Sequence, residues 1–351
     1  MAVRYPDRVA LFVMDGQGDV RDDASTLRIV DLGGRPRGRI GRVLKGNWRA
    51  FGAVRAAAPR IAQFHDPELI PAALMLKLFG IKVIYDIHEN VPNQVLSKAY
   101  IRPAMLRQAV SRVVRAFEGF AVRRFDAAVV AVESIGRRFP QQKVVLIRNF
   151  PRADLMLRSR EPANPKQRFI VSYAGSLTRV RGIPDLVAAM EHLPEQVELQ
   201  LFGTWHPAAL EDTCRAMPGW SKCKFLGRVP HDELVVRMQE AHLGVQLTHD
   251  IPNHTGGLAT KVFEYLFLGI PVVVSDTAEK RAIYGELVDY AEPANPVSIA
   301  NAVRGIVADY EHAQARARNN AARVRETYSW EAEAVRLGAL YDRLMAPADP
   351  R

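Results

Sequence analysis

The run from Lys261 to Asp276, KVFEYLFLGIPVVVSD, constrains the fold of this chain more than any other. Its first half has the apolar spacing of an amphipathic helix. Gly269 stops that helix, because glycine takes up the left-handed conformation helix ends favour, and Pro271 cannot extend it. Val272–Ser275 then reads as a buried strand. Lys261 and Glu264 stand three apart and project from one face near the helix start. Two readings are open to the pair. One is a surface Lys–Glu contact worth about a few tenths of a kcal/mol. The other is a site for a nucleotide diphosphate: a helix N-terminus with a cation beside it holds phosphate, and a carboxylate one turn further in accepts two hydrogen bonds from a ribose diol.

The rest of the chain repeats this β and α alternation. With 351 residues, 48% of them hydrophobic, there is material for two domains with sizeable cores. Strands are expected at Val9–Met14, Arg28–Asp31, Ile61–Phe64, Val83–Tyr85, Ala127–Ala131 and Val144–Ile147, with helices near 40–57, 68–79 and 103–124. After the Pro- and Arg-rich stretch 151–166, taken as a linker, a second series follows. Its strands are Phe169–Ala174, Glu198–Phe202, Lys224–Leu226, Leu243–Leu247, Val272–Ser275 and Val288–Tyr290, and the tail from Pro296 is mostly helical. This pattern predicts an α/β protein with two doubly wound Rossmann-like domains, 1–150 and 167–326, facing across a cleft where ligands bind. Residues 327–351 are expected to return to the first domain.

Two cysteines, Cys214 and Cys223, make no disulfide framework, and no Cys/His cluster has zinc spacing. A reducing cytoplasm suits that usage. The N-terminus reads neither as a signal peptide nor as a membrane span. Asp22-Asp23 read as turn residues rather than a metal site, and Asp15-Gly16-Gln17-Gly18-Asp19 as a tight turn between strands. No metal and no cofactor is expected.

The second domain opens with Tyr173-Ala174-Gly175-Ser176-Leu177-Thr178-Arg179-Val180-Arg181-Gly182. A buried strand entering a glycine turn, then two arginines, then a helix offers backbone amides and guanidinium forks to phosphate. An ordinary βα turn with exposed arginines is the plainer alternative.

Together these segments resemble the retaining GT-B-fold glycosyltransferases of family 4. The matching pieces are Tyr173–Gly182, Leu201-Phe202-Gly203, Phe225-Leu226-Gly227 with Pro230, and Leu258 through Asp276. The first half adds Phe64-His65-Asp66-Pro67-Glu68-Leu69 and Val83-Ile84-Tyr85-Asp86-Ile87-His88-Glu89, and the tail adds Tyr328-Ser329-Trp330-Glu331. The resemblance implies that Glu264 binds the donor ribose and that Arg179, Arg181 and Lys261 surround its pyrophosphate. Gly175, Ser176, Gly256 and Gly257 would complete the donor site. It further implies that His88 faces the transferred sugar, with His65, Asp66 and Glu89 on the acceptor side. The expected activity is metal-independent hexosyl transfer with retention, from a UDP- or GDP-type nucleotide sugar to a saccharide or polyprenyl-linked acceptor, in surface polysaccharide synthesis. A non-catalytic GT-B-like accessory subunit and a nucleotide-sugar epimerase of the same fold are the alternatives.

Three departures stand out. Gly256 occupies a position, eight before Glu264, where many of these enzymes carry an acidic residue. Ser176 stands where an arginine often follows the glycine turn. The strand–loop–helix unit that usually precedes the strand at Val9–Met14 is missing, and the first strand of a doubly wound sheet is central. Strands on either side are therefore expected to lack a partner, with a longer native N-terminus as the expected explanation; a closed-up domain and another chain filling the gap are the other two.

Charge is unevenly placed. Residues 1–160 hold 28 Lys and Arg against 14 Asp and Glu, whereas residues 161–351 hold 20 against 24. Within Tyr100–Phe125 six arginines alternate with apolar residues at helical spacing. The segment reads either as a core-facing helix with a solvated basic side or as a surface for anionic lipid. Nucleic acid is not expected, since no recognition motif accompanies the charge. The expected location is cytoplasmic, at the inner face of the cell membrane in the lipid reading.

Overall fold

The computed structural model describes residues 1–22, 26–38, 41–97, 103–156, 162, 164–249 and 258–347. The chain divides into two compact units, Met1–Arg148 with Glu333–Arg351, and Asn149–Ala332.

In the first unit the strands are β1 (Ala10–Val13), β2 (Val20–Asp22), β3 (Leu27–Asp31), β4 (Ile61–Phe64), β5 (Lys82–Ile87), β6 (Ala127–Val130) and β7 (Val144–Leu146). The longer helices are α1 (Asn47–Ala57), α2 (Ile70–Leu78), α3 (Val91–Ser97) and α4 (Ala104–Arg124). β4-β5-β6-β7 form a parallel sheet. All of β6 and all but the first residue of β5 are buried, as strands covered on both faces must be. The core of this unit gathers around Phe64, which stacks on Tyr85 at 4.6 Å and meets Phe125 edge-on.

The remaining strands make a separate sheet ordered β1-β3-β2, in which β2 runs antiparallel to β3. A doubly wound unit is therefore expected as one sheet and found as two. Among the described residues β1 pairs only with β3 and β4 only with β5, so each presents an unpaired edge. Both line a cavity of about 530 Å³ whose other walls include Val54, Ala72 and Leu76. Leu11 of β1 is 44% exposed, although the run Ala-Leu-Phe-Val has the all-apolar character of a covered strand. Asp22, read as a turn residue, ends β2 instead, and Asp23 lies outside the described residues. The Gly16–Gly18 turn is held by the Asp31 carboxylate, which accepts from the amides of Gly16, Gly18 and Gly33 at 3.2, 2.9 and 2.8 Å. Those bonds keep the Asp31 carboxyl below its usual range, that from Gly18 foremost.

The second unit holds β8 (Phe169–Ala174), α5 (Ile183–Met190), β9 (Val197–Phe202), α6 (Leu210–Arg215), β10 (Cys223–Gly227), α7 (His231–Met238), β11 (Leu243–Gln246), α8 (Thr260–Phe267), β12 (Val272–Ser275), α9 (Ala278–Tyr284), β13 (Asp289–Ala291), α10 (Pro296–Ala308) and α11 (Tyr310–Thr327). Its sheet is parallel throughout, ordered β10-β9-β8-β11-β12-β13. One apolar cluster centres on Val171, Leu186 and Val303, and a second on Phe263, Val274 and Val324. A final helix, α12 (Trp330–Met345), begins in this unit and from Glu333 counts with the first. There Tyr341 hydrogen-bonds Gln63, and the carbonyl of Leu344 accepts from Lys82.

Candidate active site

From β8 the second sheet grows through β9 and β10 to one side, and from β11 through β12 and β13 to the other. The order reverses between β8 and β11, and in open parallel sheets ligands bind beyond the carboxyl ends at such a switch point. The segments leaving β8 and β11 carry most of the residues singled out above.

After β8 the chain turns at Gly175, whose φ is +151°, a conformation other residues avoid. The neighbouring strand ends also carry glycines: the Gly175 amide bonds Phe202, and the Gly203 amide bonds Gly227 at 2.8 Å. These three residues bring the backbone close at the sheet's carboxyl end. Arg181 reaches back over the turn, where its guanidinium would lie 2.9 Å from any Cβ placed on Gly175. Ser176 and Arg179 are exposed, and the charge of Arg179 is felt at Cys214. The structure thus brings Arg181 to the glycine turn and leaves Arg179 on the outside of the loop.

On α8, Glu264 is only 2% exposed. One carboxylate oxygen lies 2.6 Å from Lys261 Nζ and the other 3.6 Å from His231 Nε2. The Lys–Glu pair exists, but as a buried carboxylate between a lysine and a histidine rather than as a solvated surface contact. Burying a charge carries a large desolvation penalty. Gln246, buried at the end of β11, has its Oε1 without a hydrogen-bond partner among the described residues. An unmatched buried acceptor beside the switch point is unfavourable unless a ligand or water meets it. Gly256 and Gly257 lie outside the described residues.

The first unit gathers a different group. β4 and β5 are parallel neighbours, and side chains two apart on a strand share a face. Asp86 near the end of β5, His88 beyond it and His65 beyond β4 therefore converge. His65 Nδ1 lies 3.1 Å from His88 Nε2 and 3.2 Å from Asp86 Oδ2, and His88 Nε2 lies 3.3 Å from Asp86 Oδ1. Asp86 is buried while the two rings are about half exposed. Its other ties run inward: Gln63 donates to Asp86 at 2.8 Å and itself accepts from the Tyr341 hydroxyl at 2.6 Å. The bond to Asp86 raises the pKa of His65 above the ordinary histidine value. These three side chains also offer donor atoms within 4.8 Å of one another, so they are the group among the described residues able to take a metal ion. Asp66 and Glu89 are exposed, and Glu89 accepts from Gln94 at 2.8 Å.

Sequence reasoning missed Asp86, Gln63, Tyr341, His231 and Gln246. Asp86 was open to it, since an Asp two residues before a strand-end histidine shares its face. Gln63, Tyr341 and His231 carry no such signal, because only the fold brings them to their partners.

A six-stranded parallel sheet wound on both sides, following an α/β unit of its own, is the GT-B class of architecture. Solved structures agree. A sucrose-phosphate synthase from Thermosynechococcus elongatus superposes with a TM-score of 0.73 at 21% identity, covering 97% of this chain and 90% of its own. HepE from Anabaena in complex with UDP gives 0.72 at 13% identity, covering 97% and 94%. In sequence, a glycogen synthase from Mycobacterium tuberculosis is 23% identical over 311 residues, 84% of this chain and 71% of that protein. Residues 157–324 match the family model for glycosyl transferases, group 1. That match lies within the second unit, and across the whole chain these likenesses show the GT-B fold.

Proposed function

We propose that this protein transfers a hexosyl group, with retention, from a UDP- or GDP-type nucleotide sugar to a saccharide or lipid-linked acceptor in surface polysaccharide synthesis. The observation that carries the reading is Glu264: a buried carboxylate beside a lysine, on the helix that follows the switch-point strand β11. A ribose diol satisfies such a group with two charge-assisted hydrogen bonds. Arg181 over the Gly175 turn and Lys261 then supply positive charge for the diphosphate. The solved HepE structures that resemble this chain were obtained with UDP and with UDP-glucose, which favours the same ligand class here.

In this reading the bond from the sugar's anomeric carbon to the diphosphate oxygen breaks while the acceptor oxygen bonds to the same face of that carbon. The acceptor's proton passes to the departing phosphate oxygen. Charge developing on that phosphate is stabilised by fixed cations and amides, whose contribution grows as the bond breaks. His88, held by Asp86, is assigned to the transferred sugar, and His65, Asp66 and Glu89 to the acceptor side. The protein itself supplies no covalent intermediate, so no pair of opposed carboxylates is needed.

A second reading, a GT-B-like accessory subunit that binds without turnover, draws on the two unpaired strand edges of the first unit and on Gly256 in place of an acidic residue. A panel of UDP- and GDP-sugars, assayed by mass spectrometry for released nucleoside diphosphate, separates the two. One donor is expected to turn over, and Glu264→Ala to reduce the rate about a hundredfold, the value of two hydrogen bonds to a charged group. No turnover with any donor would favour the accessory subunit, and full activity in Glu264→Ala would place the chemistry elsewhere.

A further inference from the structure

Helix α4 carries its bulk on the wrong side for a helix that only packs on its own sheet. Its buried residues are Ser111, Glu118, Ala121 and Val122, of which only Val122 is a sizeable apolar side chain. Its large apolar side chains face out: Leu106 is 47% exposed, Val113 68%, Phe117 42% and Phe120 44%. Steps of seven, four and three residues set these four along one stripe. An amphipathic helix of a water-soluble domain has the opposite arrangement.

Arg112 and Arg123 flank the stripe and Arg124 ends it, its guanidinium 4.7 Å from the Phe120 ring. Among the described residues none of the three has a carboxylate within ion-pair distance. The single acid of the helix, Glu118, is buried against Arg138 at 2.6 Å and offers no countercharge outside. We propose that α4 docks the protein onto an anionic phospholipid surface, with the stripe entering the acyl boundary and the arginines meeting headgroup phosphates.

The charge distribution favours lipid over a second copy of this chain. A symmetric contact would place the same arginines against one another, whereas anionic headgroups complement them. Residues 1–160, with twice as many basic as acidic side chains, extend that complementarity beyond the helix. Among the described residues no helix is long and apolar enough to cross a membrane, so docking would be peripheral. The inference does not depend on donor chemistry, and its test uses no nucleotide sugar, so the two fail separately.

The test is co-sedimentation of the full chain with phosphatidylcholine vesicles, with and without phosphatidylglycerol. Binding is expected only with phosphatidylglycerol, and is expected to be lost on raising salt. V113S/F117S/F120S and R112Q/R123Q/R124Q are each expected to weaken it about tenfold or more. Both sets change exposed positions, and unchanged melting midpoints would show the fold intact. W48S, at a residue 72% exposed elsewhere in the unit, is expected to leave binding in place. Equal binding to both vesicles, survival of binding in both triple variants, loss in W48S alone, or a stripe-dependent dimer without lipid would overturn the proposal.

Discussion

Asp86 shows how one buried carboxylate organises two solvent-facing rings. Gln63 fixes it from behind, and His65 and His88 share its two oxygens. Because that contact favours the charged ring, the folded-state pKa of His65 lies above its unfolded value. The stabilisation from protonated His65 is therefore complete below the unfolded value of about 6.5 and is lost as pH rises through the folded value. His65→Gln should melt below the parent protein at acid pH, and the gap should close on the alkaline side. Melting midpoints of both proteins across this range would show it. A gap independent of pH would mean that Asp86 does not hold an imidazolium.

At the scale of elements, the strand–turn segments beyond β8, β9 and β10 depend on glycine at one point above all. A Cβ on Gly203, where φ is +141°, would lie 1.8 Å from the Gly175 carbonyl oxygen, so the two turns pack backbone on backbone. Gly203→Ala should cost about 3 kcal/mol in urea denaturation, from overpacking together with backbone strain. An unchanged midpoint would show that the turns part easily. This close approach is also where reading from sequence stops. Phe169–Ala174, Ile61–Phe64 and Val272–Ser275 have the limits expected of them, because short, mostly apolar runs bounded by turns leave little freedom. β2 escaped notice, since three residues, two of them charged, carry no periodic signal. Lys261 with Glu264 was legible from helical spacing, whereas the burial of Glu264 and its approach to His231 come from packing. Arg179 and Arg181 are equivalent in sequence, and only the course of the loop distinguishes them.

The whole molecule joins two chemistries. Its second unit presents a buried acid, a lysine and an arginine around a sheet switch point, and its first unit carries the histidine pair, the basic excess and the outward apolar stripe of α4. The first unit is also where the sheet divides, between β1 and β4, around a cavity their unpaired edges share. The proposed transfer requires the second unit to hold a nucleotide sugar through Glu264. Isothermal titration of the purified chain with UDP, GDP and their sugar conjugates, repeated on Glu264→Gln, addresses that claim directly. Saturable binding of one nucleotide class is predicted, weakened about tenfold or more by the substitution. Absence of binding to every nucleotide, or equal affinity in Glu264→Gln, would contradict it.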